Sequence, residues 1–374
     1  MYVLELNDHE LALYTSAGEE LRKEPAAVAL IDKELAFGTN ALSQGRIHPQ
    51  DFSNRYLGSA TAEPLPSPIG PAHNFADLIY QHLATYELEG KPLVLLTPSH
   101  FTNEQLGLML GICQELSIEV RGFIDAPLLQ SIAATAEARF NILDIEWHRL
   151  TLTSVHQNEG YTSVESNKVW EGRGLNHLIE GWMGVIADEF MHRTRFDPLH
   201  RGDTEQQLFQ QTYAWLNQDF NARIVISGTE NDRELEIQRE RVSEKTQQRL
   251  EGLDLDPNVP LFLTARAGSV PDLIQILSRS YSSVHSLPND WTAHLDEICR
   301  ELPTDRVTRL TKTATRISVA DVPIQQPVTE YATHLLDEAH IATPLSAFSD
   351  LASDLPVGQS VSHKSKNYVA IKVT

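Results

Sequence analysis

The stretch from Leu93 to Glu137 constrains this chain most. Leu93-Val94-Leu95-Leu96-Thr97 is a continuous apolar run, as a strand buried on both faces requires. Pro98 ends it, and Thr102 then stands three residues before Gln105, the spacing of a capping box. Leu106, Met109, Leu110, Cys113 and Leu116 follow at helical intervals, which predicts a helix over about 102–116. A strand at Glu119–Ile124 and a helix near Ala126–Glu137 repeat the cycle. Strand, helix, strand, helix in that order implies an α/β layer architecture.

The same reading extends in both directions. Met1–Leu6 alternates, breaks at Asn7-Asp8-His9-Glu10 and resumes at Leu11–Tyr14, which predicts a hairpin with a solvated turn. Ala26–Ile31 supplies another strand, the prolines of 60–72 predict a loop, and Asn74 caps a helix to about Tyr86. Downstream, a single strand is expected over Asn141–Val155, then helices over about 175–193 and 204–216. A hairpin of Arg223–Ser227 with Glu234–Gln238, a polar helix at 239–251 and a strand at Pro260–Thr264 complete the regular part. Residues 288–374 are interrupted by prolines and give no assignment. Leu336-Asp337-Glu338-Ala339-His340 mimics a helicase box, but no G-x-x-x-x-G-K-[ST] loop accompanies it, so it reads as ordinary helix.

Charge narrows the function classes. The 374 residues carry 30 Lys and Arg against 51 Asp and Glu, a net charge of −21. Such a field disfavours nucleic acid and anionic membranes unless a basic patch exists, and the longest basic cluster is only Lys364-Ser365-Lys366. Two cysteines, Cys113 and Cys299, make neither a disulfide framework nor, alone, a zinc site. No apolar run approaches the roughly 20 residues of a membrane span, and the start shows no export signal. A cytoplasmic protein is expected. No H-x-x-x-H, H-E-x-x-H or G-x-S-x-G pattern occurs, so neither a metal site nor acyl transfer is indicated.

Several ordered segments resemble the nucleotide-binding domain of DnaK-like heat-shock chaperones, within the actin-like ATPase superfamily. Phe37-Gly38, Ala41, Gln44, Pro49-Gln50, Arg55 and Leu57-Gly58 are similar to the family's "VG..A..Q...NP.N......K.LIG". Leu95–Ala133 is similar to its strand–helix–strand segment ending in "N-E-P", Gly181–Asn217 to the helix pair of its second lobe, and Leu261–Leu277 to the segment carrying "G-G-S-S-R-I-P". The resemblance implies a two-lobed actin-like fold, that is, a duplicated ribonuclease H-like α/β fold. A first lobe over 1–172 and a second over 173–374 are expected, with the cleft near Gly172–Gly174 and the end of the chain close to where a peptide-binding domain would start.

The family's chemistry does not carry over residue by residue. The first phosphate loop, "D-x-G-T-T", is matched by Glu5-Leu6-Asn7-Asp8-His9-Glu10, acidic and without glycine. The second, "D-x-G-G-G-T", becomes Asp144-Ile145-Glu146-Trp147-His148, where large side chains replace the glycines that let backbone approach phosphate. Asn54 stands for the catalytic Lys, and Asp125-Ala126-Pro127 for "N-E-P", with Asp125 read as a helix N-cap. The adenosine helix becomes Gln210–Asn217, and the double glycine becomes Ala265-Arg266. These departures imply a pseudo-ATPase with no catalytic residue, metal or cofactor, acting on a protein partner. A complete DnaK-like chaperone or a cochaperone is the expected kind of partner. The alternative keeps weak ATP binding with Mg, in which Asp8, Asp144, Glu146, Arg266 and Gly268 would line the site. On either reading Trp147 and His148 are expected to fill the cleft, with Arg266 reaching from the opposite lobe to Asp144 or Glu146.

Overall fold

In the computed structural model, described over residues 1–132, 138–158, 160–228, 231–314, 334–337, 342–344, 360–363 and 366–371, the N-terminal alternation folds as a meander. Strands β1 (Tyr2–Leu6), β2 (Glu10–Thr15) and β3 (Glu20–Pro25) pair antiparallel, with Leu4 opposite Leu13. The apolar run β4 (Pro92–Thr97) lies parallel beside β1, and β5 (Glu119–Asp125) parallel beside β4. Helices α1 (Phe75–Ala84) and α2 (Asn103–Glu115) start at the capping boxes Asn74/Asp77 and Thr102/Gln105. The period of two along each strand divides the core. Leu4, Leu93 and Leu95 pack with Leu78, Leu83 and Met109 on one side, while Val3, Val94 and Leu96 meet Trp291 and Leu295 on the other.

A second sheet repeats this plan. Strands β6 (Arg139–Ile145), β7 (Arg149–Asn158) and β8 (Tyr161–Glu171) form an antiparallel meander, and β9 (Leu261–Leu263) and β10 (Val284–Ser286) add in parallel beside β6. Both sheets therefore show a three-strand meander whose first strand is continued by two parallel neighbours. Helices α3 (Leu175–Thr194), α4 (Gly202–Ala214) and α5 (Arg239–Arg249) follow β8 in the chain. Leu143, Ile145 and Trp147 join Leu178, Trp182, Phe209 and Val242 in one core, where Trp182 Nε1 donates to Thr246 Oγ1 at 2.9 Å.

The last described segment of this part binds both sheets. Strand β11 (Arg309–Leu310) adds parallel to β5, and β12 (Lys312–Ala314) adds antiparallel to β8. Arg309 anchors the join by donating to Asp125 Oδ1 at 2.6 Å and to the carbonyls of Phe101 and Ser99 at 2.8 and 2.7 Å. The chain divides into two compact units, Met1–Ile317 and Ser318–Thr374, and both six-stranded sheets lie in the first. The described part of the second unit is a four-stranded antiparallel sheet. Among the described residues no helix is long and apolar enough to cross a membrane.

Several sequence expectations need correction. Asn141–Val155 is not one strand: Glu146 N donates to Arg149 O at 2.9 Å, closing a hairpin turn that alternation alone does not reveal. The proline-rich loop contains strand Pro64–Ile69, paired with Ala72–Asn74. Its ladder partners are Pro64 and Ile69, so Pro66 and Pro68 interrupt neither of these pairs. Asp125 makes no side-chain cap bond, because Arg309 takes its carboxylate. His334–Asp337 is a strand rather than helix, while Glu338–His340, Lys364-Ser365 and the helix end expected at 133–137 fall outside the described residues.

Gly174, at the N-cap of α3, sits so close to the β6–β7 turn that an added Cβ would lie 2.4 Å from Glu146 O and 2.5 Å from Arg149 N. Gly107, exposed in α2, has nothing within 4 Å of such an atom. Gly174→Ala should therefore cost about 1–3 kcal/mol. Gly107→Ala should raise stability by roughly 0.5–1 kcal/mol through helix propensity. Urea denaturation of both variants checks the pair of opposite signs.

Candidate functional site

The hairpin turns of the two sheets meet. In the first, His9 N donates to Asn7 Oδ1 at 2.8 Å, the local bond expected of Asn at a turn. The turn is not solvated as predicted, since Asn7, Asp8 and His9 are buried. What covers it is the second turn, whose His148 N donates to Asp8 Oδ2 at 3.2 Å, and Gly58, whose bare Cα lets Asp8 approach. A Cβ on Gly58 would stand 2.7 Å from Asp8 Cγ.

Trp147 and His148 fill the contact. The Trp147 ring is fully buried, stacks on Tyr213 of α4 with centroids 5.3 Å apart, and meets His9 edge-on at 4.9 Å. Tyr213 Oη in turn shares a 3.1 Å hydrogen bond with His9 Nε2. Burial holds His9 and His148 neutral at pH 7, pushing each down to about 4. His148 Nε2 then donates to Asn54 Oδ1 at 3.1 Å, and Nδ1 accepts from Asn176 at 3.3 Å. Asn54 is thus engaged in fixing an imidazole.

Arg266 is the main electrostatic joint. It does reach Asp144, with Nη2 2.8 Å from Oδ2, but Asp144 lies on β6 and Arg266 on the short helix that directly follows β9, the neighbouring strand of the same sheet, rather than on an opposite lobe. The partners across the interface are Glu5 of β1 at 2.9 Å and Glu10 of β2 at 3.2 Å. Thr264 supports the arrangement: its hydroxyl donates to Asp144 Oδ1 at 2.5 Å and accepts from Ala267 N at 3.2 Å, starting the short helix that carries Arg266. Lys23 adds a second cation 3.0 Å from Glu10. Glu10 titrates near 2, since the attraction of His9, Arg266 and Lys23 outweighs the opposing effect of its burial.

Glu146 is not a partner of Arg266. Both its oxygens are buried without a hydrogen bond, 3.6 Å from Arg149 Nε and 3.8 Å from His100 Nδ1. Arg149 itself is directed to His100 Nε2 at 2.9 Å and Gly58 O at 3.1 Å. Burial, reinforced by the neighbouring Asp8, raises the Glu146 carboxyl well above the usual range. Asp8 is likewise pushed up from 3.8 to about 7 by burial, against the pull of Arg149 and the His148 N–H.

Arg266, Glu5, His9 and Glu10 line a cavity of about 340 Å³ together with Lys23 and Asn217, and the enclosed space between Asn7, His100, Asp144, Glu146 and Arg266 is about 10 Å³. That is room for about one water, and a phosphate group is larger. Asp8, Asp144, Glu146 and Arg266 are thus gathered at one interface, whereas Gly268 lines a separate cavity with Asp219 and Phe220. Among the described residues no group of three or more His, Cys, Asp or Glu could hold a metal ion. The role of Arg149 had no signal in the sequence, and Tyr213 was visible only as an aromatic at helical spacing. No protein-family model matches the chain, and no curated protein is significantly similar to it.

Two outcomes follow from the charges. Arg266→Met removes the ion pair of the buried Glu5 and one partner each of Glu10 and Asp144, which keep Lys23 and Thr264, and should cost on the order of 3–5 kcal/mol in urea denaturation. Asp8 binds its proton more tightly folded than unfolded, so its contribution to stability falls as pH rises from 3.8 to about 7 and is level above. Asp8→Asn keeps an acceptor for the His148 N–H and removes the charge. It should match wild type near pH 4 and exceed it by roughly 1–3 kcal/mol at pH 8. Equal pH slopes for the two proteins would contradict this.

Proposed function

We propose that this chain is a catalytically degenerate DnaK-like, actin-like domain that acts as a protein-interaction or regulatory module without hydrolysing ATP. Support for the duplicated ribonuclease H-like architecture comes from the matching plan of the two sheets, each a meander continued by two parallel strands. The observation that carries the functional reading is the filled junction. Where the resemblance places phosphate loops, Trp147 occupies the interface and Arg266 is held by Glu5, Glu10 and Asp144.

The family's catalytic groups are missing as well. Asn54 bonds His148, and Ala126 has no functional side chain. The alternative, weak binding of ATP with Mg through Asp8, Asp144, Glu146 and Arg266, would need the three carboxylates on Arg266 to release it. It would also need Asp8 and Glu146, which burial drives toward protonation, to ionise before they could hold Mg. The value of such a domain lies in its surface, and the partner that fits the resemblance is a complete DnaK-like chaperone or a cochaperone that grips the second lobe.

Two measurements test this reading. A ligand at a hundredfold excess over its Kd stabilises the native state by about 2.7 kcal/mol. Thermal denaturation with millimolar MgATP should leave the midpoint within about 1 °C, whereas a rise of several degrees would favour the nucleotide-binding alternative. Affinity purification of the full chain against a purified DnaK-like chaperone should recover a stoichiometric complex, and absence of any complex would remove the proposed partner.

A further inference from the structure

We propose that the cavity lined by Phe52, Arg55, Phe75 and Phe209 binds a small aromatic anion, such as an aryl carboxylate. The cavity measures 680 Å³ and shares no lining residue with either of the spaces that Arg266 lines. Its size falls within the roughly 300–1,000 Å³ of small-molecule sites. It therefore stands independently of whether the domain is a degenerate ATPase.

The apolar part of the recognition comes from rings. Phe52, Phe75 and Phe209 line the cavity, and Phe52 packs over Gly45, where an added Cβ would lie 3.1 Å from its ring. A bare Cα at 45 thus seats that ring in place. Flat apolar groups stack on or edge against such rings more favourably than aliphatic ones.

The charge part comes from one residue. Arg46 lines the cavity but is neutralised by Glu205 at 3.2 Å and Glu180 at 3.6 Å, with its guanidinium over Phe209. His148 faces the cavity neutral, with Nε2 on Asn54 and Nδ1 on Asn176. Arg55 is different: its side chain lines the cavity and has no hydrogen-bond or ion-pair partner among the described residues. Arg55 is exposed, so its guanidinium meets both the cavity and solvent. An uncompensated planar cation beside aromatic walls is complementary to a planar anion, which it can bind through paired N–H···O bonds.

The test is fluorescence titration of the full-length protein with 8-anilinonaphthalene-1-sulfonate, an aromatic anion. Wild type should show one saturable site, Arg55→Gln a loss of at least tenfold in affinity, and Arg55→Lys an intermediate value. Arg195→Gln, at an arginine outside this cavity, should bind as wild type does. Benzoate should displace the probe from wild type, and benzyl alcohol, of the same shape without charge, should not. Absence of a saturable site would overturn the proposal. So would Arg55→Gln binding like wild type, or equal displacement by benzoate and benzyl alcohol, the last needing no variant to fold.

Discussion

The guanidinium of Arg266 is the contact on which the junction of the two sheets depends. Glu5, Glu10 and Asp144 arrive from β1, β2 and β6, and buried together without a cation they would repel one another and resist ionisation. A planar fork with several N–H groups reaches all three, which the point charge of a lysine does not do. Desolvation of such a cluster is expensive, and its net contribution to stability is small compared with the cost of losing one member. What the cluster supplies is uniqueness: one relative placement of β1, β2 and β6 satisfies it, and other placements leave buried charge behind.

The neighbouring cluster lacks that satisfaction. Glu146 has two oxygens without hydrogen bonds, Asp8 has one, and Arg149 Nε and Trp147 Nε1 also make no hydrogen bond. Protonation is the physical answer for the acids, which is why burial raises both carboxyls while Glu10, beside two cations, stays ionised. The junction thus combines a satisfied ionic half with a half held by aromatic packing of His9, Trp147 and Tyr213. The strand pair of 309–314 supports both from outside, since it extends one sheet and then the other.

Much of this was legible in the sequence where local chemistry decides the outcome. The capping boxes at Asn74 and Thr102 fixed two helix starts, and the apolar run at Leu93–Thr97 gave a central strand. The convergence of Asp8, Asp144, Glu146 and Arg266 came from aligned positions, not from pattern. Errors arose where long-range contacts prevail. Asn-Asp chemistry correctly predicts a turn at residues 7–9, but whether a turn is solvated depends on what packs on it, and here His148 and Gly58 do. Asp125 has the character of a cap, and a residue 184 positions away claims it. Alternation through Asn141–Val155 conceals a turn because Glu146, Trp147 and His148 are buried as strand residues would be. Residues 288–374, which include the second unit, gave no assignment because prolines interrupt them.

A junction locked by Arg266 should hold the two sheets at one separation. Spin labels at Glu34→Cys and Glu244→Cys, both exposed positions, would report it by double electron–electron resonance, the native Cys113 and Cys299 being buried. The account predicts one narrow distance distribution, unchanged by MgATP. A broad or two-peaked distribution, or a shift of the peak on adding MgATP, would contradict it.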